Sequence, residues 1–265
     1  MSVRRRRPPA LVLVAATAAL LLFALPLIGL VQRADWAHLL DDLRTPGATE
    51  AMRLSLTTSL AATALAVVLG LPLAWVLART DIPGRAALRA LVLLPMVLPP
   101  VVGGVALLSA FSRRSPIGSW LFDTFGIQLT FSPAGVVLAE AFVAMPFFVI
   151  TVEAALRSLD PRYEQVAAGL GATPPQVFRR VTLPLIAPAV VAGAILSWAR
   201  ALGEFGATIT FAGNIAGRTR TLPLSIYLQL ESDPSGAIAL SLVLLLVSFA
   251  VLIGLRDRWL GGGRP

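Results

Sequence analysis

Four ionisable side chains stand inside runs of sequence that are otherwise apolar: Glu140, Glu153, Arg200 and Glu204. Arg200 and Glu204 are four residues apart in SWARALGEFGAT, so on one helix they share a face and can pair. An ionisable group at membrane depth costs at least about 3 kcal/mol on insertion scales, and so faces a bundle interior or an aqueous path. Two readings of the pair stand. It is either an internal ion pair that fixes helix packing, or an arginine that offers a fixed positive charge to an anion. The glutamates also raise the question of membrane-enzyme chemistry. No His, Cys or Asp companion lies near any of them in sequence and no metal-ligand spacing occurs, which argues against catalysis. Glu140 or Glu204 also suits the proton carrier of a secondary transporter.

The elements that must position these residues are membrane spans. With 57% hydrophobic residues and a mean hydropathy of +0.81, the chain does not suit a soluble surface and reads as an all-α polytopic membrane protein. The net charge of +8 rests entirely on arginine, which, Arg200 apart, falls in the gaps between apolar runs rather than on one stripe; this argues for topology and against nucleic acid. Cysteine is absent, so no disulfide, zinc-thiolate site or thiol nucleophile is available.

Residues 1–265 read as a single transmembrane domain. An N-terminal span covers 8–32, and core spans cover about 54–78, 90–112, 134–156, 183–206 and 235–255. The first apolar run is too long for a signal-peptide core and has no clear small-residue cleavage site. Residues 35–53, with the only histidine, His38, and residues 113–132 read as external loops. The third span carries Pro95, Pro99, Pro100, Gly103 and Gly104, which must break its hydrogen-bond ladder. Irregular backbone at this depth is either buried in protein or lines a cavity, and a simple packing kink is the alternative. Gly203 and Gly206 flank Glu204 and permit close helix approach or local unwinding, and the stretch from Thr208 leaves toward the outside.

Six spans put both termini on one side. With the N-terminus inside, fourteen arginines are cytoplasmic (Arg4 to Arg7, Arg79, Arg85, Arg89, Arg157, Arg162, Arg179, Arg180, Arg256, Arg258 and Arg264) and seven are external. The positive-inside rule then places residues 160–181 in the cytoplasm.

That stretch is a polar island. Asp160-Pro161 is an N-cap with proline at the first helical position, and Tyr163, Val166, Ala167 and Leu170 recur on one face of a short amphipathic helix. Gly171 can stop it in the left-handed conformation, and Thr173-Pro174-Pro175-Gln176 is a capping box that starts a second short helix with Val177, Phe178 and Val181 on its apolar side.

The island resembles the EAA loop of bacterial ABC-transporter permeases, in which EAA, three residues, Gly, nine residues and Ile-x-Leu-Pro follow in order. Here Gly171 is followed, after nine residues, by Val181-Thr182-Leu183-Pro184. The chain departs from the pattern at the family's glutamate, which is Gln165, with Glu164 one residue earlier and Val166 in place of the first alanine. The runs ARALGEFGATITFAGN, TRTLPLSIYLQLESDP and LPMVLPPVVGG are similar to the permease subunits of molybdate ABC transporters. Sulfate and thiosulfate permeases are related, but typically follow GE-aromatic-G with Ser-Val or Ala-Val, where this chain has Ala207-Thr208.

The resemblance implies a type I ABC importer permease fold in the bacterial plasma (inner) membrane. Two copies would form the pathway, two cytoplasmic ATPase subunits would dock on the loops, and an extracytoplasmic binding protein would deliver the oxyanion. Tyr163, Glu164, Gln165, Ala167, Gly171, Phe178, Arg179 and Pro184 would form the ATPase-coupling surface. Pro99, Gly103, Arg200, Glu204, Gly206 and Thr208 would border the path. No cofactor is expected on this chain. Lysine is absent, which excludes a P-loop lysine, and no Gly-rich phosphate cradle occurs, so a partner subunit would use the ATP. Tungstate is a further substrate of the same class.

Overall fold

A repeated two-residue device starts the helices: a hydroxyl cap followed by proline at the first helical position, where its missing N–H is not needed. Thr45-Pro46, Ser115-Pro116, Ser132-Pro133 and Thr173-Pro174 all have it. Ser115 Oγ accepts from Gly118 N and Ser132 Oγ from Gly135 N, each at 3.1 Å.

The computed structural model describes residues 9–260, with side chains through residue 254. In chain order the helices are α1 (Ala10–Gln32), α2 (Leu39–Arg44), α3 (Pro46–Arg79), α4 (Arg85–Val97), α5 (Pro100–Phe111), α6 (Pro116–Phe125), α7 (Pro133–Ser158), α8 (Arg162–Gly169), α9 (Pro174–Val177), α10 (Leu183–Leu202), α11 (Gly206–Ala212), α12 (Leu222–Ser232) and α13 (Pro234–Leu260). Among the described residues there is no strand. Five units among the described residues are long and apolar enough to cross a membrane: α1, α3, α7, Pro174–Leu202 and the Pro234–Gly254 part of α13. The sixth is the pair α4 and α5, bent by 119° at Leu98 and Pro99.

The bundle centres on α7, whose span is 61% buried, against 28% for the next. α3 lies along it with a stripe of small residues at helical spacing: Ala51, Ser55, Ala62, Ala66, Gly70 and Ala74. Small side chains let two backbones come close, which matters in a bilayer because lipid is as apolar as leucine and van der Waals contact must hold the helices together. Gly70 shows how close: a Cβ there would lie 2.8 Å from the Phe148 ring. Around that contact Leu77, Val149, Val152, Leu156 and Ile186 form the largest buried cluster. α1 packs only weakly, on α13, and none of its residues is buried.

Several elements differ from the sequence reading. Residues 35–53 are not a loop, because α2 and the start of α3 occupy them, with Thr45 capping α3. Likewise 113–132 holds α6, and α12 follows Thr221. The span read as 183–206 stops as a helix at Leu202 and resumes as α11 at Gly206. Nor is the second short helix of the island separate. α9 runs through a wide turn, Phe178–Thr182, straight into α10, with Leu183 N bonded to the carbonyl five residues back on Phe178. Arg4 to Arg7, Arg264 and the first residue of the N-terminal span lie outside the described residues.

His38 precedes α2 and sits 3.0 Å from the exposed Asp35 carboxylate, whose hydrogen bond raises the imidazole above its ordinary value. As the only histidine, it gives one ring resonance; its NMR titration midpoint should lie above that of a model peptide and fall back toward it in Asp35→Asn. Close helix packing can be tested at Gly104, where a Cβ would meet Thr210 Cβ at 2.6 Å and the Ala207 carbonyl at 2.9 Å. Gly104→Ala should cost about 1–3 kcal/mol by overpacking. Gly169→Ala, with nothing within 4 Å, should leave the melting temperature in detergent unchanged or slightly raised.

Candidate functional site

Two broken helices meet in the middle of the bundle. α10 ends at Leu202, with Arg200 in its last turn, and residues 203–205 are not helical. The Glu204 carboxylate replaces the interrupted ladder. Its Oε1 accepts from Ala207 N at 2.7 Å, which caps α11, while Oε2 binds Arg200 Nη1 at 2.7 Å. Arg200 and Glu204 therefore do pair, but across a break rather than along one helix. The two differ in access: the Glu204 side chain is 1% exposed and that of Arg200 29%. The carboxylate is sealed, whereas the arginine side chain remains partly accessible and has more N–H donors than the one ion pair uses.

The break in α4–α5 packs on this one. A Cβ on Gly206 would lie 2.7 Å from Pro100 Cβ and 3.3 Å from Val101 N, so only glycine lets the start of α11 touch the start of α5. Pro99 caps α5 and is exposed at the same junction. Gly103 and Thr208 are enclosed within the chain. Gly103 lies under the Phe142 ring, where a Cβ would be 3.2 Å from it, and Thr208 is fully buried with no partner for its hydroxyl. Pro99, Arg200, Glu204 and Gly206 thus gather at one junction, and Gly103 and Thr208 back it.

A buried polar band beside the junction was not read from the sequence. Thr58 Oγ1 bonds Glu140 Oε1 at 3.0 Å, Ser59 Oγ receives Trp198 Nε1 at 3.0 Å, and Ser55 Oγ receives Leu222 N at 2.6 Å. One polar face of α3 thereby ties α7, α10 and α12 together. Its signal was available: Ser55, Thr58, Ser59 and Ala62 follow the three-and-four spacing of an inward face.

The island lies at the far end of α3 and α7. Gly171 takes φ +88°, and Thr173 N donates to Gln176 Oε1 at 2.8 Å in the capping box. The apolar face of α8 points away from the protein's own bundle: Tyr163, Val166 and Leu170 are exposed, Leu170 by 84%, and Ala167 is half-buried. Gln165, Arg179 and Pro184 are exposed as well, whereas Phe178 lines a cleft of about 440 Å³ with Trp75 and Val177. Glu164 turns inward. Its Oε1 accepts from Thr182 Oγ1 at 2.7 Å and lies 3.5 Å from Arg79 Nη2. Next to it the buried Glu153 binds Arg157 at 2.8 Å and Arg89 at 3.4 Å. Arg157 also donates to the Leu77 carbonyl. This ionic belt closes the ends of α3, α4 and α7. Arg79 and Arg89 read from the sequence only as topology markers, because their carboxylate partners are distant in sequence; Arg157 lies one helical turn from Glu153, so that pair was legible locally.

Known proteins resemble this chain in sequence and in fold. The family described as "Binding-protein-dependent transport system inner membrane component" matches residues 66–260. The molybdenum transport system permease protein ModB of Mycobacterium tuberculosis is 50% identical over 94% of this chain and 94% of its own length. The sulfate transport system permease protein CysT of Salmonella typhimurium is 40% identical over 89% of this chain and 86% of its own. A chain in the crystal structure of a bacterial alginate ABC transporter, in complex with alginate pentasaccharide-bound periplasmic protein, has the same fold at 20% identity, with a TM-score of 0.74 over 94% of this chain and 92% of that one. A family match over most of the chain, joined to half-identity along nearly all of it, means that this protein belongs to the binding-protein-dependent transport system inner membrane components.

Proposed function

We propose that the chain is the permease of an ATP-driven molybdate importer. The observation that carries this reading is the 50% identity to ModB over almost the whole of both chains, against 40% to the sulfate permease CysT. Tungstate has the same charge and shape and would share the path. Two copies of the chain form the translocation unit in the inner membrane, with both termini in the cytoplasm. An extracytoplasmic binding protein hands over the oxyanion, a role supported by the alginate transporter, which forms a complex with a pentasaccharide-bound periplasmic protein. Two ATPase subunits on the cytoplasmic side hydrolyse the ATP, and this chain holds no cofactor of its own.

Each part of the chain then has a task. The exposed apolar face of α8 at Tyr163, Val166 and Leu170 fits a partner surface, because in water it is otherwise uncovered. Closure of the ATPases draws α8 and α9 inward, and since α9 is continuous with α10, the motion reaches the Arg200 junction along one helical rod. At the junction Arg200 offers the passing dianion a positive charge whose strength Glu204 moderates. A partly neutralised arginine suits a path better than a bare one, since a tight site would retain the ion.

Labelled molybdate uptake, with sulfate as competitor, tests the substrate. Efficient competition by equimolar sulfate would favour a sulfate permease instead. Gly171→Asp places a branched, charged side chain on a left-handed residue and should abolish uptake while membrane insertion persists; full uptake would count against the coupling role. Glu204→Ala uncaps α11 and strands Arg200, at a cost on the order of 3–5 kcal/mol in stability. Arg200→Ala added to it should recover the part of that cost that comes from the stranded charge, though not the lost cap, and should not recover uptake. Restored uptake would make the pair purely structural.

A further inference from the structure

One carboxylate joins three elements at the cytoplasmic end of the bundle. Glu164 belongs to α8, its hydrogen-bond donor Thr182 ends the wide turn that leads into α10, and its ion-pair partner Arg79 is the last residue of α3. Arg79 also donates to the carbonyl of Leu159, just beyond α7, at 3.4 Å. Thr182 is 1% exposed and the Glu164 side chain 23%, so the bond between them is half-buried at the wall of the cleft that also holds Phe178.

Two features mark this contact as more than a local tie. Several helical threonines turn their hydroxyls back on the carbonyl four residues earlier, Thr57 on Arg53, Thr63 on Ser59, Thr151 on Phe147 and Thr210 on Gly206, and Thr58 does so on Leu54 while also reaching the Glu140 carboxylate of α7. Thr182 bonds Glu164 instead, from a turn whose widened hydrogen-bond pattern is common at functional positions. The second feature is how little else holds α8. None of its residues is buried, and on its C-terminal side it hangs on a short linker containing Gly171. A push on so loosely attached a helix would be absorbed by bending its linkers.

We infer that Glu164 is a positioning residue, the pin that makes α8 move as one body with the end of α3 and the start of α10. The neighbouring Gln165 is exposed and takes no part, since a step of one residue turns a side chain about 100° round the helix. The inference rests on reading α8 as the ATPase-coupling helix, and it assigns the transmission of force to a side chain inside this subunit.

The test uses the full complex of permease, ATPase and binding protein in lipid vesicles, and reads molybdate moved per ATP hydrolysed. Glu164→Ala should lower that ratio about tenfold, within the range of ordinary coupling energies. Thr182→Val should lower it in the same way, and the double variant should be no worse than Glu164→Ala alone, because both remove one interaction. Glu164→Gln keeps an acceptor for Thr182 and should recover most of the ratio. A ratio for Glu164→Ala equal to that of the unsubstituted complex overturns the inference.

Should Glu164→Ala fail to assemble, Glu164→Cys with Thr182→Cys gives the same answer, as the chain has no other cysteine. Bridged by a short, reducible bis-thiosulfonate reagent, that variant should transport, and reduction should uncouple it. Equal coupling before and after reduction overturns the pin. Failure of the underlying reading looks different: the unsubstituted complex would then move molybdate without ATP or without a bound ATPase.

Discussion

A backbone N–H or C=O in a bilayer has no water to turn to, and this constraint governs where the chain can depart from a helix. It departs twice at depth, at Leu98-Pro99 and at residues 203–205, and the protein supplies what the ladder loses. Proline at 99 and 100 removes two donors outright, so the first break leaves fewer groups to satisfy. At the second the Glu204 carboxylate takes the Ala207 N–H. Glu204 would be costly to bury alone, and Arg200 makes it tolerable. The ion pair is thus a condition for the broken backbone, whatever else it does. That is why its two members differ in access: the one doing the backbone's work is sealed, and the one balancing it reaches outward.

The same constraint explains why the breaks are packed on each other. Two short helix starts, each with unpaired amides, can share one protected region only if their backbones touch, and Gly206 against Pro100 and Gly104 against Ala207 and Thr210 provide that contact. Rigid elements surround it. α3 and α7 are locked by small-residue packing and by the polar band of Ser55, Thr58 and Ser59, and the belt around Glu153 closes their ends beside the island. A bundle built this way has firm rods and two defined joints, which is what alternating access requires.

What could be read from the chain follows the range of each interaction. Local signals were legible: the apolar runs, Gly171 at positive φ, the Thr173 capping box and the inevitability of a break near Pro99 all depend on neighbours in sequence. The hydroxyl-proline starts at Thr45 and Ser115 were equally local, and went unread because polar composition there suggested loops. The non-local part was not available. Nothing near Glu164 in sequence names Arg79 or Thr182 as its partner, and although Gly203 and Gly206 permit unwinding beside Glu204, only the folded chain shows that the helix stops there and that the Glu204 carboxylate takes the Ala207 N–H. The face of α8 shows the limit most clearly. Periodicity placed Tyr163, Val166 and Leu170 together, but periodicity alone cannot say whether an apolar face meets its own bundle or another protein.

The departure from the EAA pattern also acquires a physical meaning. Moving the acid from position 165 to 164 turns it about 100° round α8, from the exposed side to the side that meets the bundle. Under the proposed coupling role, with Gln165 outside, contact with the ATPase would rely on apolar surface and shape, which is tolerant of small displacements. With Glu164 turned to the bundle, the hold on Arg79 and Thr182 is a half-buried charged hydrogen bond, which is short-ranged and directional. Compliant contact outside and a stiff one inside is the order a lever needs. Were they reversed, the partner's stroke would be spent deforming the permease's own loop before any span moved.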